Sequence, residues 1–160
     1  MPIMGNYRKL YGRFKFVVYV EGFLSAAFQK ATGLKITVSE MKYHEGGALV
    51  PYKEPGLVEF SDLTLERGVS KEIDFWSWVL QVVNIMAKMP GGIGVPSPGF
   101  MRNLTIRQMD RDDSPAIDWK LYWGFPKDFT PGEFDNTSSE VTLETLVVAY
   151  HHFERVQIAA

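Results

Sequence analysis

Apolar and polar residues alternate along most of this chain, the period-two pattern of half-buried strands. The first such run covers residues 13–21. Phe14, Phe16, Val18 and Val20 share one face, and Arg13, Lys15, Val17 and Tyr19 share the other. A second run covers 33–44, with Leu34, Ile36 and Val38 set against Lys35, Thr37 and Ser39. Further runs over 63–68, 102–109, 116–125 and 140–153 predict four more strands. The Asp/Ser/Pro-rich stretch 110–115 has the chemistry of a turn, so its two flanking runs form a hairpin.

The period changes once. Over 70–88, Ile73, Trp76, Leu80 and Val83 recur at helical spacing and predict a helix packed through that stripe. Ser70 stands where a cap belongs, and Glu72 and Asp74 suit the positive end of the helix dipole. Pro90-Gly91-Gly92 ends the helix and opens a Gly/Pro linker to residue 99. Strands dominate. The expected fold is mainly β, a single domain over 1–160, built as an antiparallel barrel or sandwich with one flanking α-helix.

Residues 45–62 read as a long loop between the second and third strands. Loops beyond roughly 12–15 residues are uncommon in compact domains. This one carries Leu49, Val50, Tyr52, Leu57, Val58 and Phe60, so its composition is not that of a disordered segment. It either packs on its own domain or binds another.

Composition narrows the function classes. The 160 residues carry a formal charge of −2, which argues against a dedicated nucleic-acid binder. A 46% hydrophobic content is enough for a full core. Cysteine is absent, which removes disulfides, thiolate nucleophiles and cysteine-based metal sites. No apolar run is long enough to span a bilayer, and the first residues lack a secretory signal's apolar core, so synthesis in a cytoplasm without membrane insertion is expected.

The catalytic inventory is thin. His151 and His152 are adjacent on a strand and point to opposite faces, so they cannot converge on one metal. Asp110, Asp112 and Asp113 lack the glycine and glutamate of a calcium loop and read as turn formers. Gly91-Gly92-Ile93-Gly94 follows a helix and matches no phosphate-binding fingerprint. Arg8, Lys9, Arg13 and Lys15, interleaved with Tyr7, Tyr11 and Phe14, read as a charged edge strand rather than a base-stacking face. No catalytic, metal or cofactor site is expected. A reading from another class is a small-ligand barrel whose cavity is lined by Trp119, Trp123, Phe14 and Phe16.

The order of motifs carries more. Phe28-Gln29-Lys30-Ala31-Thr32-Gly33-Leu34 precedes Tyr43-His44-Glu45-Gly46-Gly47 and Pro55-Gly56-Leu57. Leu63-Thr64-Leu65-Glu66-Arg67-Gly68-Val69, Phe75-Trp76-Ser77-Trp78, Arg102-Asn103-Leu104-Thr105-Ile106, Trp119 and Glu140-Val141-Thr142-Leu143-Glu144-Thr145-Leu146 follow. In this order the chain resembles the T4-like tail tube family of contractile phage tails and phage-like injection systems, over roughly residues 14–151.

That resemblance implies a tail-tube/Hcp-like barrel and no catalysis. It implies hexameric rings stacked into a hollow conduit for DNA or effector cargo, or else a closely similar adaptor that starts the tube at a baseplate. The partners implied are further copies of the chain, a sheath protein, baseplate or hub proteins and a tube terminator, with the product in a phage tail or an extracellular or cell-associated particle. It assigns Gly46, Gly47, Leu49, Val50, Tyr52, Pro55, Gly56, Leu57 and Phe60 to a loop reaching the next subunit or ring. Gly46-Gly47 would be the hinge by which the chain leaves the barrel.

Overall fold

The computed structural model of the protein describes residues 15–22, 28–69, 73–87 and 99–157. The expected helix cap at Ser70 and Glu72, the stop at Pro90, the linker to residue 98 and the aromatic–basic N-terminal stretch lie outside them. The elements in chain order are β1 (Phe16–Val20), β2 (Lys30–Thr32), β3 (Ile36–Tyr43), β4 (Tyr52–Phe60), β5 (Leu63–Gly68) and α1 (Asp74–Ala87). They continue with β6 (Arg102–Met109), β7 (Pro115–Thr130), β8 (Leu143–Ala149) and β9 (His152–Gln157).

All strand pairs are antiparallel. The main sheet runs β1-β6-β7-β8-β5-β2, and β9 pairs with β7. The long β7 belongs to two sheets. Its first half, through Tyr122, lies between β6 and β9, and its second half, from Phe125, pairs with β8. Between the halves Trp123 takes a φ of 55° and donates its backbone N–H to Asn103 Oδ1 at 3.2 Å. An irregularity of this kind bends a strand. The two sheets close on a core of Val18, Leu65, Leu104, Leu121, Leu146 and Val148. Two sheets sharing a strand, with no closed ring of pairing among the described residues, agree with the expected antiparallel barrel or sandwich flanked by one helix.

Three expectations need correction. Residues 45–62 are not a loop, because Tyr52–Phe60 is a strand paired with β3 as a separate two-stranded sheet. The strand expected over 116–125 does not end at Phe125 either. β7 continues through Pro126 to Thr130, helped by a register shift between Pro126 and Asp128 that absorbs the residue lacking an N–H. Finally, 140–153 is not one strand. The chain leaves the second sheet after Ala149 and enters the first at His152, and alternation cannot register a change of sheet.

Candidate self-assembly surface

The β3–β4 hairpin stands on a narrow neck. Ser61 donates its backbone N–H to the carbonyl of Lys35 at 3.0 Å, closing the two strands where they leave the sandwich. Phe60 anchors the base, with its ring edge-on to Phe153 at 5.5 Å and to Tyr150 at 6.3 Å. Tyr150 is buried, and burial first, then the Asp62 carboxylate, push its hydroxyl pKa up to about 12. Asp62 is held in turn by Lys127 at 2.9 Å.

Beyond the neck every residue of β3 is exposed. Register explains how the hairpin distributes its side chains. Ile36, Thr37 and Val38 face Phe60, Glu59 and Val58, but Glu40 faces Pro55 and Met41 faces Glu54. Gly56 and Leu57 therefore stand opposite Ser39 alone, a bulge in β4. A Cβ on Gly56 would come within 2.5 Å of Ser39 Oγ and 3.2 Å of its carbonyl oxygen, so the close approach there needs glycine. Pro55 is tolerated because, among the described residues, β4 pairs on one side only.

The bulge exchanges the apolar side. Near the base, Ile36, Val38, Val58 and Phe60 share one face; nearer the tip that same face carries Glu40 between Lys42 and Lys53, 3.5 Å from each. The opposite face starts with Thr37, Ser39 and Glu59 and becomes apolar at Met41, Tyr43 and Tyr52. At the tip, Leu49 is fully exposed and Val50 is 75% exposed. Gly46 and Gly47 form the tip turn, with Gly47 at a φ of 87° and Ala48 donating to the carbonyl of Glu45 at 3.1 Å. They are not the point where the chain leaves the sandwich, as the sequence suggested, because strand pairing continues out to Tyr43 and Tyr52. A two-stranded ribbon alone is marginal in water. One carrying apolar residues on both faces calls for a second surface.

The helix presents much of its stripe outwards. Ile73, Trp76 and Val83 are at least half exposed and Leu80 is half-buried, whereas Phe75 and Trp78 are buried. Trp78 donates its indole N–H to the carbonyl of Phe100 at 2.8 Å. Phe75 stacks on Phe28 at 5.2 Å and lies 3.8 Å beneath the guanidinium of Arg67, which pairs with Glu144 in the core. The predicted stripe packs only in part, through half-buried Leu80 and through Trp76, whose ring lies 6.1 Å from that of Phe129, while Phe75 and Trp78 supply the buried face. α1 is apolar nearly all round, so periodicity alone offers two stripes, and the Trp78 N–H and the Arg67 cation choose between them.

Chemistry is sparse in this part of the molecule. Among the described residues, no three of His, Cys, Asp and Glu gather as metal ligands. Asp110 and Asp112 accept backbone N–H bonds from Arg111 and Ser114, and Asp113 takes Lys15 at 2.9 Å, as turn formers do. The proposed cavity set is not assembled. Phe14 lies outside the described residues, and Trp123 packs edge-on to His151 at 5.0 Å, away from Trp119. Phe16 and Trp119 do share an open hollow with Leu34 and Ile106. Sequence reading passed over the exposed Ile36, Val38, Met41 and Tyr43 as ordinary strand residues. Their signal was apolar character on both faces of one run.

Residues 12–154 match the family described as T4-like virus tail tube protein gp19. No curated protein sequence matches the chain. A chain in the cryo-EM structure of the anti-feeding prophage (AFP) baseplate, 6-fold symmetrised, superposes with a TM-score of 0.77 at 20% identity, covering 94% of this chain and 97% of that one. A chain in the PVC extracellular contractile injection system sheath–tube complex, extended state, gives 0.74 at 18% identity with 93% of each covered. Hcp1 from Flavobacterium johnsoniae gives 0.52 at 11% identity over 92% of this chain and all of that one. These likenesses establish the fold, a tube-like β architecture with one helix.

Proposed function

The chain belongs to the T4-like virus tail tube protein gp19 family, and from that membership we propose that it builds a hollow tube by stacking hexameric rings. It acts as a structural subunit of the tube body, without catalysis. The observation that carries the reading is the β3–β4 hairpin, an apolar arm whose faces its own domain leaves open. A further copy of the chain is the partner always at hand, and it covers Leu49, Val50, Tyr52 and Leu57 in the adjacent subunit or ring. Burying a leucine or valine is worth about 1.5–3 kcal/mol, so a few such contacts repeated around a ring hold it firmly.

Two edges fit this reading. Among the described residues β1 and β9 each pair on one side only, and joining them between neighbours would continue one sheet around the ring. The face of that sheet turned away from the core mixes signs, with Arg107, Asp118, Lys120 and Glu154 on it. Arg107 and Asp118 are locked together at 2.8 and 3.0 Å, and that bond raises the Arg107 pKa further. Such a surface would let DNA or effector cargo pass without holding it. Sheath, baseplate or hub, and terminator proteins are the other partners inferred, in a phage tail or an extracellular particle. No helix among the described residues is long and apolar enough to cross a membrane.

Negative-stain microscopy with light scattering tests the reading. Rings or tubes with a central hole are expected. A species that stays at 18.2 kDa at every concentration would refute self-assembly through the hairpin.

A further inference from the structure

Resting on that reading, we infer that the hairpin tip of one copy seats in a specific groove at the hairpin base of the next. The groove consists of two adjoining hollows of about 460 and 750 Å³ that share Leu34 and Trp119. Phe153 and Ile36 wall the first, and Phe16 and Ile106 wall the second. This is the open mouth between the two sheets, where the chain passes from β2 to the hairpin neck. Leu34, Phe16, Trp119 and Phe153 are half-buried there, Ile36 is exposed and Ile106 buried, and Gln29, Thr32 and Gln108 add polar groups to the second hollow.

Charge selects the occupant. Lys30 and Lys35 stand on the rim, and the Arg155 guanidinium lies over the Trp119 ring at 5.8 Å. The tip segment 44–51 carries one carboxylate, Glu45, and no lysine or arginine. It also presents Leu49 and Val50 without cover. An apolar knob bearing one carboxylate faces a mainly apolar hollow with a cationic rim, and both belong to the same chain. Knob and hollow are different patches, so the contact is head-to-tail and generates a ring when the rotation closes.

Reach fixes the spacing. The tip lies about 25 Å from its own base, from the rise of an eight-residue strand plus its turn. A tip therefore cannot fold back into its own groove, and equivalent points on contacting copies lie about that far apart.

The chain has no cysteine, so introduced pairs report without background. In the full chain, Val50→Cys combined with Lys35→Cys should give, on oxidation, a ladder of disulfide-linked dimers, trimers and higher species. Neither single variant should do so beyond dimers. Val50→Cys with Gln29→Cys, on the same groove, is the second pair, and Val50→Cys with Val83→Cys on the outward helix face is the control. All four positions are exposed, and retained β-type circular dichroism confirms folding. Rings in the microscope with no ladder from either groove pair, or with a ladder from the helix pair instead, would overturn the groove while leaving hairpin-driven assembly intact. Absence of both rings and ladders would overturn the underlying reading and this inference together.

Discussion

β5 and β3 are strands of similar make-up with opposite surroundings. In β5, Leu63, Leu65 and Arg67 are buried, one after another, against β8 and the helix. In β3, Ile36 and Val38 alternate just as regularly, yet both remain 50% exposed. The difference lies in what covers each strand. β5 lies between β8 and β2, with its Arg67 over the Phe75 ring of α1, whereas among the described residues β3 has β4 on one side and no third layer. Buried alternation stabilises the single subunit, and uncovered alternation in the arm is available to stabilise an assembly. Mutations should therefore separate along this line.

The largest effect on the subunit belongs to the core. Trp78→Ala removes a fully buried ring and its hydrogen bond to Phe100, and should lower unfolding free energy by about 3–5 kcal/mol in urea titrations. Glu144→Ala removes the carboxylate that pairs with Arg67 in the core and should cost about 3 kcal/mol, since breaking a buried ion pair by removing one member is strongly destabilising. An intact midpoint in either variant would mean that the sandwich is not the stabilising unit.

Alkaline pH probes the neck. Tyr150 ionises near 12 in the folded chain against about 10 when unfolded. Below pH 10 both states are protonated and Tyr150 adds no pH dependence. Between pH 10 and 12 the unfolded state releases its proton first, so stability falls by about 2–3 kcal/mol across that window. Tyr150→Phe should flatten this part of the pH–stability curve. An unchanged curve would show that the phenol is not held neutral by its surroundings.

The smallest effect on the subunit should come from the arm. Leu49→Ser together with Val50→Ser should change the stability of the single chain by less than about 0.5 kcal/mol, because both residues already lie in water. Light scattering should nevertheless show assembly lost. A large drop in subunit stability would instead place the tip in the subunit's own core.

What could be read from the sequence follows the same division. Leu63 and Leu65, Leu104 and Ile106, and Leu146 and Val148 announce their strands because one face of each is covered and the other is not. The arm was harder to read, since Pro55-Gly56 interrupts the alternation at the bulge and makes a strand look like a loop. The helix was located but its inward face only in part, because Ile73, Trp76 and Val83 are as apolar as Phe75 and Trp78. The bend at Trp123 left no signal, as a tryptophan at positive φ contradicts local preference and is imposed by the meeting of two sheets. The groove was missed for another reason. Leu34, Trp119 and Phe153 come from separate stretches of chain, and only the packing brings them together.

The most direct measurement is on a chain whose arm is cut short by deleting residues 42–53, so that Met41 joins Glu54, its cross-strand partner. The shortened protein should keep its β-type circular dichroism and a cooperative melt near that of the intact subunit, yet remain at the mass of a single chain under conditions where the intact protein is expected to form rings or tubes. Rings that persist without the arm would contradict the claim that the β3–β4 hairpin joins one subunit to the next.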